Sequence, residues 1–313
     1  MLKKVIAGFV VFLLVLLLYA TVLRKDETVS KADVKARYSL PNSHFINWNG
    51  CELHYTESGS GFPILMIHGF GGSNRDFYLL DSLLNNKYRV IRIDMPGFGL
   101  SDFPQQDTTG SDFIEVYNNY FNFLLDTLHL DSFYVMGNSL GGMMAWHLER
   151  HHPDRVKKMV LFNSAGYDMK EVMKSANAHL LQYKAVQMIL KKGIPKFFVK
   201  QGIKRVVNNP STISADKIQR VYTFWNREGN MQHLINMANS KTFVDQNLIK
   251  QVACPTLIVW GNNDKIVNVK YAHRFHADIK GSREIIYDNC GHVPMLENPL
   301  QVSRDVLQFL QEN

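Results

Sequence analysis

The sequence predicts an α/β protein: a mostly parallel, eight-stranded sheet with helices on both faces, interrupted by a helical insertion. Three observations carry this expectation. Short apolar segments alternate with longer amphipathic ones through residues 43–167 and again through 253–313, the rhythm of strand–helix–strand units. One junction, Val135-Met136-Gly137-Asn138-Ser139-Leu140-Gly141-Gly142, sets Gly-x-Ser-x-Gly between a predicted strand and a predicted helix. From residue 168 to 252 the rhythm stops and only helical patterns remain, so this stretch reads as an inserted cap.

The chain begins differently. Val5 to Leu23 is an uncharged, apolar run of 19 residues. As a helix rising ~1.5 Å per residue it spans roughly 28 Å, the depth of a bilayer's hydrocarbon core. A cleaved signal peptide is the competing reading, but the run exceeds the usual length, and Leu18-Tyr19-Ala20 puts a large residue where cleavage needs a small one. Residues 1–25 are therefore expected to be a single-span membrane anchor. Lys3 and Lys4 flank one end, Arg24 and Lys25 the other, so the charge bias that sets orientation is balanced. Residues 26–42 are polar and read as a linker.

The body follows in order. His44–Trp48 and Glu52–Thr56 read as a hairpin, because Asn49-Gly50 supplies the positive φ angles of a tight turn. Phe62–Ile67 is continuously apolar, as a strand buried on both faces must be, and it ends in His68-Gly69-Phe70-Gly71-Gly72-Ser73. Asp76–Leu84 reads as helix and Tyr88–Ile93 as strand, followed by the glycine-rich Asp94-Met95-Pro96-Gly97-Phe98-Gly99-Leu100-Ser101. Asp112–Leu128 carries apolar residues at helical spacing. Ser132–Met136, Arg155–Phe162, Thr256–Trp260 and Arg283–Tyr287 are further strands, and Leu140–Arg150 the helix behind Ser139.

Gly-x-Ser-x-Gly alone is weak; about one chain in ten of this length carries it by accident. Its physical sense is crowding. A turn that lifts a serine hydroxyl above a sheet edge strains its own backbone, and flanking glycines let neighbouring segments approach without a Cβ clash. A serine hydroxyl is also a poor nucleophile near neutral pH and needs a base within hydrogen-bond reach. Of the 12 histidines, His292 stands in a glycine-preceded loop straight after a predicted strand, whereas His151 and His152 close the serine helix, where solvent is their expected surrounding.

His68-Gly69-Phe70-Gly71-Gly72, Asp94 to Ser101, Gly137 to Gly142 and Gly291-His292-Val293-Pro294 together resemble the α/β-hydrolase superfamily, in that family's order, over roughly Phe45 to Leu310. The resemblance implies an α/β-hydrolase fold with Ser139 as nucleophile and His292 as base. Gly261-Asn262-Asn263-Asp264 resembles the family's acid turn, so Asp264 is the expected orienting acid; Asp278 and Asp288 are the competing carboxylates. Some relatives carry the acid after the preceding strand, where this chain has Asn163, which cannot be an anion. His68 is structural in that family. The backbone N–H groups of Phe70 and Leu140 are the expected oxyanion donors, and losing one such donor typically costs about 3–4 kcal/mol.

The cap is basic. Between Met169 and Arg220 lie eleven Lys and Arg residues against two acidic ones, an excess larger than the +7 of the whole chain. Two readings stand together: a surface facing anionic lipid, with Met188, Ile189, Leu190, Ile194, Phe197, Phe198 and Val199 entering the interface, or a solvated face over an ordinary cap core. Nucleic acid is not an expected partner of a tethered hydrolase. The glycine loops lack the Lys-Ser/Thr of a phosphate cradle and the spacing of a dinucleotide fingerprint, so no cofactor and no metal are assigned. Three cysteines without a metal-site spacing are expected to be free thiols.

These features lead to a membrane-anchored serine hydrolase of carboxylic esters, most resembling cap-bearing monoacylglycerol lipases and esterases. Serine at the elbow argues against the carboxylate-nucleophile branches, haloalkane dehalogenases and epoxide hydrolases. A rival with the same triad is a carbon–carbon bond hydrolase of meta-cleavage products; those usually carry an aromatic residue after the histidine, where this chain has Val293. A silent binding protein would be expected to have lost a triad member, and none is missing.

Overall fold

Apolar strands with opposed faces build the centre of the molecule. The computed structural model describes residues 27–104, 112–168, 183–240 and 244–312. Within these, β1 (Ser43–Trp48), β2 (Cys51–Ser58), β3 (Phe62–Ile67), β4 (Tyr88–Ile93), β5 (Phe133–Asn138), β6 (Val156–Phe162), β7 (Thr256–Gly261) and β8 (Arg283–Tyr287) form one sheet in the order β1-β2-β4-β3-β5-β6-β7-β8. The pairs β1–β2 and β2–β4 are antiparallel and all others parallel. Asn49 and Gly50 take φ of 51° and 80°, the left-handed turn their sequence predicts.

Successive side chains of a strand face opposite ways, and the packing follows that period. Along β3, Leu65 and Ile67 join one core while Ile64 and Met66 join the other. The first core is closed by α3 (Phe113–Thr127), α4 (Leu140–His151) and α9 (Lys270–Asp278), through residues such as Phe121, Trp146 and Phe275. The second is closed by α2 (Tyr78–Leu84) and α11 (Pro299–Gln311), through Leu84 and Val306. A sheet covered on both sides explains why its central strands are continuously apolar rather than alternating.

The insertion is helical as expected: α5 (Lys184–Leu190), α6 (Lys196–Val206), α7 (Ala215–Trp225) and α8 (Asn230–Asn239). The sequence also predicts a helix over Glu171–Lys192, most of which lies outside the described residues, which resume at 183. The predicted Asp76–Leu84 helix begins as a 3₁₀ turn, Asn74–Phe77, before α2. α10 (Pro294–Glu297) is a single turn behind the histidine loop.

The stretch read as a linker is structured. Ser30 accepts a hydrogen bond from the Asp33 N–H and caps α1 (Lys31–Tyr38), which buries Val34 and Tyr38 against Leu100 and the cap residue Phe224. Only two apolar residues, four apart, carry this docking, too few to stand out in a polar sequence. The anchor expected at residues 1–25 lies outside the described residues; among those described, no helix is long and apolar enough to cross a membrane.

Cys51, Cys254 and Cys290 are all free and buried. Burial pushes the thiols of Cys254 and Cys290 up to about 12, with the Glu149 and Glu297 carboxylates adding to the rise. The native protein is therefore expected to react negligibly with a thiol-specific chromogen near pH 8, and to release the full cysteine equivalents only after denaturation. Rapid native labelling would contradict this packing.

Candidate active site

The parallel strands end level with one another, Ile67 beside Gly137, Gly137 beside Leu161 and Phe162 beside Val259. The loops leaving that edge carry the chemistry, as is general for parallel sheets. Ser139 stands between β5 and α4 with φ 54° and ψ −116°, a backbone that L-residues rarely adopt. The glycines make it possible. A Cβ on Gly137 would sit 2.1 Å from the Gly141 carbonyl oxygen, and one on Gly141 would sit 2.1 Å from that of Ile67. Hydrogen bonds then fix the turn: the Ser139 N–H donates to Phe162 O, and Ser139 O accepts from the N–H groups of Met143 and Ala165, each at 3.0 Å.

The structure brings His292 and Asp264 together. His292 Nδ1 lies 2.6 Å from Asp264 Oδ2, both side chains buried. Asp264 Oδ1 accepts from the N–H groups of Ile266 (2.7 Å) and Val267 (3.0 Å), and Oδ2 also accepts from Asn163 Nδ2 at 2.6 Å. Every lone-pair direction of the carboxylate is thus used, which fixes its plane and the ring it holds. With Nδ1 engaged, Nε2 is the nitrogen available for a proton. Asp278 and Asp288 are elsewhere: Asp278 accepts from the Tyr167 hydroxyl, Asp288 from Asn262.

Three neighbours complete the site; of these the sequence singles out only Asn163, and then as a non-acid rather than as a partner of Asp264. Asn138 Nδ2 donates to the carbonyls of Phe162 (3.1 Å) and His292 (3.0 Å), tying the serine turn to the histidine loop. Asn163 touches Asp264 and, at 3.3 Å, the Gly291 carbonyl. The His292 N–H donates to Val206 O (2.8 Å), so the last residue of α6 in the cap holds the base loop. An asparagine is too common, and these partners too distant in sequence, for any spacing rule to find them.

The candidate oxyanion donors stand on two segments. Leu140 opens α4, where an N–H has no intrahelical acceptor. Phe70 lies in the turn closed by the Gly72 N–H to Gly69 O bond of 3.0 Å, and a Cβ on Gly69 would come 3.1 Å from that of Ser139. The cap braces this turn: Trp225 Nε1 donates to Gly71 O at 2.8 Å, and Gly71 takes φ 70° with its Cα facing the indole. Only glycine fits there, since a Cβ would lie 2.5 Å from the ring.

The remaining buried histidines hold structure. His68 Nδ1–H donates to Gly69 O (2.7 Å) and Nε2 accepts from the Met95 N–H (3.0 Å), so neither nitrogen is free to act as base. Asp94 receives His54 Nδ1 and the N–H groups of Asn74 and Leu100. Burial raises its pKa, but the neighbouring His54 and His68 and these hydrogen bonds outweigh that, leaving it below the usual range. His233 of α8 packs against Phe103 and Phe98, its Nε2 3.1 Å from the Tyr117 hydroxyl. Among the described residues no cluster of metal-ligating side chains occurs.

Two outcomes follow. Asp264→Asn loses the anion and sets an amide donor against His292 Nδ1 and Asn163 Nδ2, and should lower kcat by about 10⁴-fold with little change in KM; an unchanged kcat would dismiss Asp264. Burial depresses the His233 pKa to about 3, whereas an unfolded histidine takes a proton near 6.5. Between those values the unfolded chain binds more protons, so stability falls as pH drops through the window. Urea midpoints measured against pH should fall less steeply there in His233→Phe than in the parent.

Comparison with known proteins agrees with this geometry. The family model described as alpha/beta hydrolase fold matches residues 63–191 and 195–299. A 2-hydroxy-6-oxo-6-(2'-aminophenyl)hexa-2,4-dienoic acid hydrolase of Metapseudomonas resinovorans is 28% identical, covering 92% of this chain and 96% of that protein. A 2-hydroxy-6-oxononadienedioate/2-hydroxy-6-oxononatrienedioate hydrolase of Pseudomonas putida is 30% identical over 83% of this chain and 92% of its own length. The crystal structure of a serine hydrolase involved in carbazole degradation, the CarC enzyme, superposes with a TM-score of 0.70 at 26% identity, over 86% of this chain and 98% of that one. The finer likeness to monoacylglycerol lipases has no counterpart among these relatives. By the family match and by the placement of its strands and loops, the chain belongs to the alpha/beta hydrolase fold family.

Proposed function

We propose that this chain is a serine hydrolase that breaks a carbon–carbon bond beside a ketone in a 2-hydroxy-6-oxo-dienoate-type compound. The observation that carries the reading is the agreement, along nine-tenths of the chain, with the hydrolase of Metapseudomonas resinovorans whose substrate has that form. In this reading His292 removes the proton as Ser139 attacks the carbonyl carbon, Asp264 steadies the imidazolium, and the N–H groups of Leu140 and Phe70 receive the oxyanion. Collapse then expels carbon rather than oxygen. Carbon leaves only if its electron pair is delocalised; the dienol must first ketonise, its C5 gaining a proton, so that the departing pair enters a dienolate, to which His292 gives the serine proton. Water, deprotonated in turn by His292, then attacks the acyl group on Ser139 and releases it as the carboxylic acid.

Ester hydrolysis is the second reading, and one observation favours it. Val293 occupies the position after His292 where meta-cleavage product hydrolases usually carry an aromatic ring. The same tetrahedral intermediate forms on an ester, with an alkoxide as leaving group, and a monoacylglycerol would suit a chain held at a bilayer. We further infer that residues 5–23 attach the protein to a membrane; their apolar length is the support.

The two readings separate in one assay. Full-length protein should consume a 2-hydroxy-6-oxo-6-phenyl-dienoate with a kcat/KM at least about tenfold above that for any monoacylglycerol or p-nitrophenyl ester in a graded series, a gap of about 1.4 kcal/mol in transition-state stabilisation. Both activities should vanish in Ser139→Ala. The reverse ranking would assign the ester reaction.

A further inference from the structure

The first described residues of the chain are stitched to the cap. The Glu27 N–H donates to Lys192 O at 3.0 Å, and the Glu27 carboxylate accepts from the Tyr222 hydroxyl at 3.0 Å. Val29 exchanges backbone bonds with the cap, its N–H donating to Asn226 O (2.8 Å) and its carbonyl accepting from the Glu228 N–H (3.0 Å). The apolar run ends at Leu23, four residues before Glu27. Four residues extend over at most about 14 Å. The chain therefore leaves its apolar segment within that distance of the loop joining α5 to α6.

That loop lies between exposed rings. Tyr183, Met188, Phe197 and Phe198 are 60%, 57%, 63% and 60% exposed, and the two phenylalanine rings lie edge to face with centroids 5.6 Å apart. A helix normally buries one face, yet of the eleven residues of α6 only Val199 is buried. Contiguous exposed aromatic surface marks a contact site. Its surroundings are mainly basic: among the described residues Lys191, Lys192, Lys200 and Lys204 make no ion pair, and no acidic residue occurs from Lys184 to Arg205, Glu27 of the strap being the carboxylate that lies against the loop. Aromatic rings bordered by unpaired lysines fit lipid acyl chains beneath anionic head groups. A protein partner of the same charge pattern would need a matching acidic groove, whereas the nearby apolar run places a bilayer at this face.

We infer that α5 and α6 dock on an anionic bilayer, with Phe197 and Phe198 in the interfacial layer, and that the Glu27–Val29 strap sets the cap against the membrane surface. The placement is independent of which bond Ser139 breaks. It presents the cap, rather than the opposite end of the sheet, to lipid.

Because all three native cysteines are buried, a single introduced cysteine can carry an environment-sensitive fluorophore. Full-length Gln201→Cys, labelled on α6, and Leu300→Cys, labelled at an exposed site on α11, are compared in vesicles of phosphatidylcholine with and without phosphatidylglycerol. With phosphatidylglycerol the label at 201 should shift to the blue and lose emission to brominated acyl chains, while the label at 300 stays in water. Reversing Lys192, Lys196 and Lys200 to Glu, or replacing Phe197 and Phe198 by Ser, should abolish quenching at 201 while the protein still pellets with the vesicles. Pelleting protein whose 201 label stays in water, or equal quenching at both sites, overturns the proposal. Should the protein fail to pellet, residues 5–23 are not an anchor; quenching at 201 on added phosphatidylglycerol vesicles then still supports docking by the cap, and its absence overturns it.

Discussion

A strained serine governs this structure. Holding Ser139 at positive φ costs of order 1–3 kcal/mol, and the turn persists because its surroundings leave the backbone no alternative. Those surroundings are close backbone contacts: Gly137 on Gly141, Gly141 on the end of β3, Gly142 on Ser164. Such contacts are possible only where β3, β5 and β6 run parallel and end together. The sheet register, the apolar strands and the two covering layers of helices are thus conditions for one hydroxyl to stand where a carbonyl carbon can meet it.

The candidate base is held by a different principle. His292 sits on a loop with little regular structure, and its position comes from polar partners at every side. Asp264 fixes the ring, Asn138 takes the His292 carbonyl, and Val206 of the cap takes its N–H. The cap also reaches the opposite wall through Trp225 on Gly71. The insertion is therefore more than a cover. It contacts both the His292 loop and the loop that carries a candidate oxyanion donor, so a change in cap packing reaches the candidate site through two hydrogen bonds.

Much of this was legible in the sequence, for local reasons. Strands buried on both faces must be apolar, tight turns must carry glycine, and Ser139, Asp264 and His292 each follow a recognisable strand end. Hidden features depend on long-range closure. Asn138 and Asn163 are ordinary amides until folding brings residues 128 and more positions away to their side chains. α1 could not be told from a linker because Val34 and Tyr38 gain meaning only beside Phe224. The basic count of the cap was visible, but which rings stay outside was not, since the same pattern describes a buried helix until its neighbours are known.

The Asn163 amide touches the same carboxylate oxygen that holds His292, from the end of the neighbouring strand β6. A carboxylate at position 163 would stand within hydrogen-bond reach of the present Asp264 oxygen. Two carboxyls there would share one proton and titrate as a coupled pair. A neutral amide at 163 avoids that coupling and donates to the carboxylate instead.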